Sequence, residues 1–467
     1  EILQDLDAFT YNIENGKVVA TKVDKSSIFT EKQNDHWVFK KFTFPALKEG
    51  SIIEYSYQIK SDFFFNLHDW VFQGQYPVLW SQYDAAVPEF YRFITFTQGY
   101  QPFAVKKADS RQQSYSFSDR SMNDGGSTSK NDFNIDGRVD YNTWIMKDVP
   151  AIKPEAFTTT IRNSIGKIEF QLKEVAYPYQ VVKPYMNTWE KAGQNLMENE
   201  HFGLLITRPN NWLDDQVAAI VKNASGNTEK TKKIYEYLRD NFTCTDHSGY
   251  YVTSNLKDVM KNKTGSVADI NMLLIAMLRT QGIPAHPVLL STRQHGYVNE
   301  IYPLMDKYNY MVAQVSAGDA DYFLDASTPR LGFNKLPAAT FNGQARVITK
   351  ENALPVYFLA DSLKEENTTM VFIENNSKGE VTGTVSSTLG HITSLAVRDG
   401  IAKSGMEEFK KKLKEDFTDD VELLDMKVDS LKKLEEPVAI NYTVKLNSFG
   451  DADVIYFSPM FSEAIKK

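Results

Sequence analysis

The sequence predicts an α+β protein, with a β domain first, a helix-plus-sheet domain in the middle and a second β domain last. Three observations carry this prediction. Apolar side chains recur with period two through about residue 165, then every three to four positions between about 212 and 281, and with period two again after about 355. Cut where the period changes, the chain reads as an N-terminal β-sandwich-like domain (1–165), a connecting segment (166–211), a central α+β domain (212–350) and a C-terminal β-rich domain with one short helix (351–467). The last is expected to be truncated.

Each element follows from a local pattern. In "SIIEYSYQIK" the set Ile53, Tyr55, Tyr57 and Ile59 alternates, so one face is expected to be buried and the other wet. "FYRFITFTQGY" and "QQSYSFSDRS" repeat the pattern, and "SMNDGGSTSKNDFNIDGR" reads as a mobile polar loop or hairpin tip. After a strand in "KIEFQLKEVAY" and a helix in "NTWEKAGQNLMEN", the residues Leu213, Val217, Ile220 and Val221 form a helical stripe, with Gly226 as its expected stop. Ile234, Leu238 and Phe242 mark the next helix, whose first turn carries Glu229, where a negative charge suits the helix dipole.

The helix of 267–281 has both of its ends written in sequence. Ser266-Val-Ala-Asp269 matches a capping box, worth about 1 kcal/mol. Gly282 stands where a left-handed residue closes a helix, and Pro284 blocks continuation. Val267, Ile270, Leu274, Met277 and Leu278 are its expected buried stripe. Strands follow in "HPVLLSTR", "YNYMVAQVS" and "DYFLDAS". "TTMVFIENNSKGEVTGTVSSTLG" reads as a hairpin turning near Ser377–Gly379, "MEEFKKKLKEDF" as the short helix and "EPVAINYTVKLN" as a further strand. The final "FSEAIKK" looks helical.

Composition narrows the function classes. A net charge of −8 and a pI near 5.6 give no basic footprint for nucleic acid. One cysteine, Cys244, rules out an intrachain disulfide and any multi-cysteine zinc site. No run of about 18 apolar residues is present, so no membrane span is expected. The chain begins at Glu1 within strand-like sequence, as expected of a trimmed protein from which a signal peptide has been removed. No histidine pair has zinc spacing, and no phosphate-loop or dinucleotide glycine pattern occurs, so neither metal nor cofactor is expected.

Taken together, the helix "KIYEYLRDNF", the Gly265-Ser266 helix start, the run "MLRTQGIPAHPVLL" and Leu324-Asp325-Ala326-Ser327 resemble the transglutaminase-like branch of the papain-like hydrolases and acyl transferases over about residues 212–328. "FTFPALKEGSIIEYSYQI" and "HDWVFQGQYPVLWSQYDAAVPEF" are similar to a Gram-negative bacterial group that carries such a core between β domains. The resemblance implies a nucleophilic cysteine at the helix start, a histidine opening the next-but-one strand and an aspartate after it. Here Ser266 stands for the cysteine, Tyr310 (Asn309 with a one-residue shift) for the histidine, and Asp325 matches.

A helix dipole alone cannot ionise a hydroxyl, and neither tyrosine nor asparagine is a base near neutral pH. The expectation is therefore a non-catalytic transglutaminase-like scaffold with protein partners. The resemblance places it in the periplasm or at the outer membrane, within a larger envelope complex. Two alternatives stand: a Ser266-dependent hydrolase or acyl transferase acting on peptide or amide bonds, and a peptide- or glycan-binding module.

Other candidates read as structural. Cys244 is expected to be a packed side chain, a displaced nucleophile only if His247 or another base meets it. His286 and His295 are the two imidazoles that could replace the missing base. Asp132–Gly137 imitates the start of an EF-hand loop, but its twelfth position is Thr143. Asp35, Asp62 and Asp69 are read as solvated turn residues.

Overall fold

The computed structural model describes residues 2–32, 38–122, 128–155, 158–186, 188–375, 380–415, 417 and 421–446. The chain divides into two compact units: Glu1–Asp69 with Arg92–Phe96 and Glu169–Lys173, and the remainder. The order of elements is the expected α+β one, with β sheets first, a central helical region, and a C-terminal sheet with helices. Among the described residues no helix is long and apolar enough to cross a membrane.

In the first unit Ile2–Glu14 pairs antiparallel with Lys17–Lys22 on one side and Ile52–Lys60 on the other. Asn15 and Gly16, both at positive φ, make the two-residue turn whose twist suits a hairpin. The expectation of a buried face on Ile52–Lys60 fails, because all nine residues are exposed. Tyr55 and Tyr57 stack on each other (ring centroids 6.3 Å apart), and Tyr55 meets Phe42 and Phe44 edge-on. Alternation specifies a strand; it does not supply a covering layer.

In the second unit Thr128–Val149 lies between Val78–Pro88 and Val105–Met122. Of the stretch read as a loop or hairpin tip, the described residues are strand, the two arms of one antiparallel hairpin on either side of 123–127, and Asp132–Gly137 lies in its ladder rather than in a cation-binding loop. The turn expected near Ser377–Gly379 and the helix expected in "FSEAIKK" lie outside the described residues; the strands flanking the former, Thr368–Asn375 and Val381–Thr388, pair antiparallel.

The central region is built around the helix Val267–Thr280. It packs on a five-stranded antiparallel sheet ordered Ala320–Leu324, Tyr310–Ala317, Ala285–Leu290, Gly343–Ile348, Ala353–Phe358. Instead of one buried stripe, every residue from Val267 to Leu278 is buried. A helix wrapped on all sides belongs to a core, and 14 residues, about 21 Å long, could not span a bilayer. Gly282, at φ +69°, closes it, and the Arg279 guanidinium donates to the carbonyls of Ala285 (2.9 Å) and Ile206 (3.1 Å). The Arg-x-x-Gly-Ile-Pro-Ala run therefore ties helix end to strand start.

Upstream, Asp214–Ile220 ends before Asn223, which takes φ +65°; Gly226 is the N-cap of Asn227–Asn241, not the stop of the earlier helix. The C-terminal part holds two helices where one was expected, His391–Ser404 and Met406–Glu415, on a sheet ordered Thr368–Asn375, Val381–Thr388, Ala439–Leu446, Val421–Asp429. The first of them buries Ser394 and Arg398 rather than an apolar stripe. Arg398 donates to the carbonyls of Ser430, Lys433 and Glu436, and Ser394 accepts from the Val438 amide.

Candidate functional site

Ser266 ends a short strand, Thr264–Ser266, that pairs in parallel with Thr243–Asp246 and leads directly into the central helix. Its Oγ accepts from the Asp269 amide (3.2 Å), and its own amide donates to the Asp269 carboxylate (2.8 Å), so both halves of the capping box form. Gly265 is required by this fold-back: a Cβ there would lie 2.8 Å from the Asp269 Cβ. The Asp269 carboxylate also accepts from the Thr253 amide and hydroxyl and from the Ser254 amide. It is only 1 % exposed and sits where the helix dipole favours an anion.

Tyr310 opens the strand Tyr310–Ala317, and Asp325 directly follows Ala320–Leu324. These two positions meet. The Tyr310 hydroxyl donates to Asp325 Oδ2 (2.8 Å) and lies 3.5 Å from the Ser327 hydroxyl. Asp325 is further held by the Asn271 amide (3.0 Å), the Ser327 amide and hydroxyl (3.0 and 2.6 Å) and the Thr328 hydroxyl (2.8 Å). Asn271 completes the tie between helix and sheet by donating to the Met311 carbonyl and accepting from the Ala326 amide.

Burial, reinforced by the Asp325 charge, pushes the Tyr310 hydroxyl well above its ordinary range, so it is a donor and not a base. The one-residue alternative, Asn309, is occupied elsewhere: its side chain accepts from the Thr292 amide and donates to the Thr292 hydroxyl. Ser266, Tyr310 and Asp325 are 4, 5 and 0 % exposed, so all three are buried.

Neither candidate imidazole serves Ser266. His286 lies on the strand that follows the central helix and feels the charge of Arg279, which is itself about 20 Å from Ser266 by helix rise. Burial, then the Arg279 charge, lower its pKa, and its Nδ1 is buried without a partner. The His295 ring nitrogen lies 3.2 Å from the Asp306 carbonyl. His247 is exposed beyond the strand Thr243–Asp246.

Sequence reasoning missed how near Cys244 lies. It pairs with Gly265 across the parallel ladder, beside Asp325 and Ser327. Burial, with Asp325 adding to it, pushes the thiol up to about 11. Cys244 should therefore react with iodoacetamide at pH 8 roughly 100-fold more slowly than free cysteine, the rate rising about tenfold per pH unit towards 11. Alkylation as fast as free cysteine would mean an activated thiol.

Asn271 was also missed; the signal was available as the one amide inside the apolar run "INMLLIAML". Of the scattered acids, Asp62 is exposed, Asp69 accepts from the Phe170 amide (3.3 Å), and Asp35 lies outside the described residues.

Residues 214–323 match the Transglutaminase-like superfamily. That segment holds Ser266 and Tyr310, with Asp325 just past its end. A Parabacteroides distasonis structure named "putative protease" is similar at 12 % identity and a TM-score of 0.47, over 96 % of this chain and 85 % of that one. A Cytophaga hutchinsonii "putative cysteine protease" is similar at 12 % identity and a TM-score of 0.21, over 53 % of this chain and 79 % of that one. No curated protein matches.

Proposed function

We propose that the transglutaminase-like core is a non-catalytic scaffold, positioning protein partners in a bacterial cell envelope. The observation that carries this reading is the pair Tyr310–Asp325. Where the family's chemistry needs an imidazole oriented by a carboxylate, a buried phenol donates to that carboxylate instead. The Ser266 hydroxyl is engaged as a helix cap, and the lone thiol nearby is held protonated at neutral pH. Losing a general base costs about 10²–10⁴ in rate, before the change of nucleophile is counted. The envelope placement rests on the resemblance of the N-terminal stretches.

The test is affinity purification from native envelopes with wild-type and Ser266→Ala chains. The same stoichiometric partners should accompany both, because Ser266→Ala removes a cap worth about 1 kcal/mol and no chemistry. Recovery of both as partner-free chains would overturn the scaffold role.

A further inference from the structure

Past the central sheet, two adjoining cavities of about 400 Å3 each open between the loop 330–341 and the start of the helix His391–Ser404. They share Lys335, Lys364 and His391 as a common wall. The first is mixed in sign, and its charges are largely engaged: Arg330 with Asp399, Glu435 with the Phe333 amide, Glu436 with Lys433 and Ser430. The second has no carboxylate in its lining. Its apolar wall includes Phe323, Phe341 and Phe358, with Phe358 edge-on to both others (5.0 and 6.1 Å).

Two exposed ammonium groups, Lys335 and Lys364, thus border an aromatic hollow, and among the described residues neither makes an ion pair. Burial and then the Lys335 charge lower the His391 pKa, against the Glu365 carboxylate 3.6 Å from its Nδ1. The nearby helix amides of Ile392 and Thr393 are taken by the Glu365 carboxylate (3.1 and 2.8 Å). A phosphate, which would draw on such amides, is therefore poorly served. A single carboxylate joined to a bulky apolar group fits: the anion at the lysines, the apolar part on the phenylalanines.

We propose that this groove binds a carboxylate attached to a bulky apolar group, as at the C-terminus of a peptide ending in an aromatic residue or in a free aromatic acid. Apart from Phe323, its residues lie beyond the family-matched segment. The proposal goes beyond the scaffold reading, and its test reads binding without reference to Ser266.

Fluorescence anisotropy with a labelled Gly-Gly-Ser-Phe peptide at low salt supplies that test. The free acid should bind, and its C-terminal amide at least about tenfold more weakly. The Lys335→Ala, Lys364→Ala double variant should lose at least about tenfold, with an unchanged melting temperature because both side chains are exposed. Lys410→Ala, on the helix Met406–Glu415 and in neither lining, should bind as wild type. Displacement of the peptide by N-acetylphenylalanine would identify a free acid as sufficient, and failure to displace it would identify the peptide chain as required. Equal binding of acid and amide, indifference to the double variant, or no binding of the acid up to about 1 mM would overturn the proposal.

Discussion

Asp325→Ala should lower the unfolding free energy of the central region by about 3–5 kcal/mol, the cost of leaving several buried donors without their common acceptor. The side chain is fully buried and takes hydrogen bonds from Tyr310, Asn271, Ser327 and Thr328. Removing it leaves the Tyr310 hydroxyl and the Ser327 amide and hydroxyl buried without this acceptor, at about 1–3 kcal/mol each before any relaxation, while Asn271 keeps the Met311 carbonyl and Thr328 is only half-buried. Asp325→Asn keeps the shape and half of the acceptors, so it should cost less than Asp325→Ala. Urea unfolding read by far-ultraviolet circular dichroism gives both values. An orienting residue of a working triad predicts a different outcome, in which activity is lost while the midpoint barely moves.

The second large effect is expected at Asp269→Ala, about 2–4 kcal/mol on the same measurement, since hydrogen bonds to a charged group are worth about 1.5–3 kcal/mol each. Its carboxylate holds the amides of Ser266, Thr253 and Ser254 and the Thr253 hydroxyl, so it fixes both the start of the central helix and the preceding loop. Ser266→Ala, which removes only the hydroxyl half of the box, should cost about 1 kcal/mol. An equal loss from the two variants would mean that the box, not the wider knot on Asp269, carries the stability.

What the sequence disclosed follows the range of the interactions. The cap at Ser266 and Asp269 and the stop at Gly282 involve residues three or four apart or a single backbone angle, and both are present as read. The fold class was legible because strand and helix periods differ. The meeting of Tyr310 with Asp325 was suggested only by the family resemblance.

Non-local features were not readable. Parallel pairing of Cys244 with Gly265 joins strands separated by a helix, and nothing in either stretch specifies the partner. Asn271 looked like an interruption of an apolar helix until the sheet supplied Asp325, Met311 and Ala326 around it. The helix His391–Ser404 escaped because Arg398 and Ser394 anchor it to backbone groups of the closing loop and strand, an arrangement without apolar periodicity. Ile52–Lys60 erred in the opposite sense: its pattern is that of a half-buried strand, and both of its faces are exposed.

Whether any group draws the proton from Ser266 is tested most directly by intact-mass spectrometry after incubation with a fluorophosphonate at pH 8. An unmodified chain is expected under conditions that fully label an active serine hydrolase. A single adduct mapped to Ser266, absent from Ser266→Ala and diminished in Asp325→Asn, would contradict the non-catalytic reading and identify a working serine nucleophile.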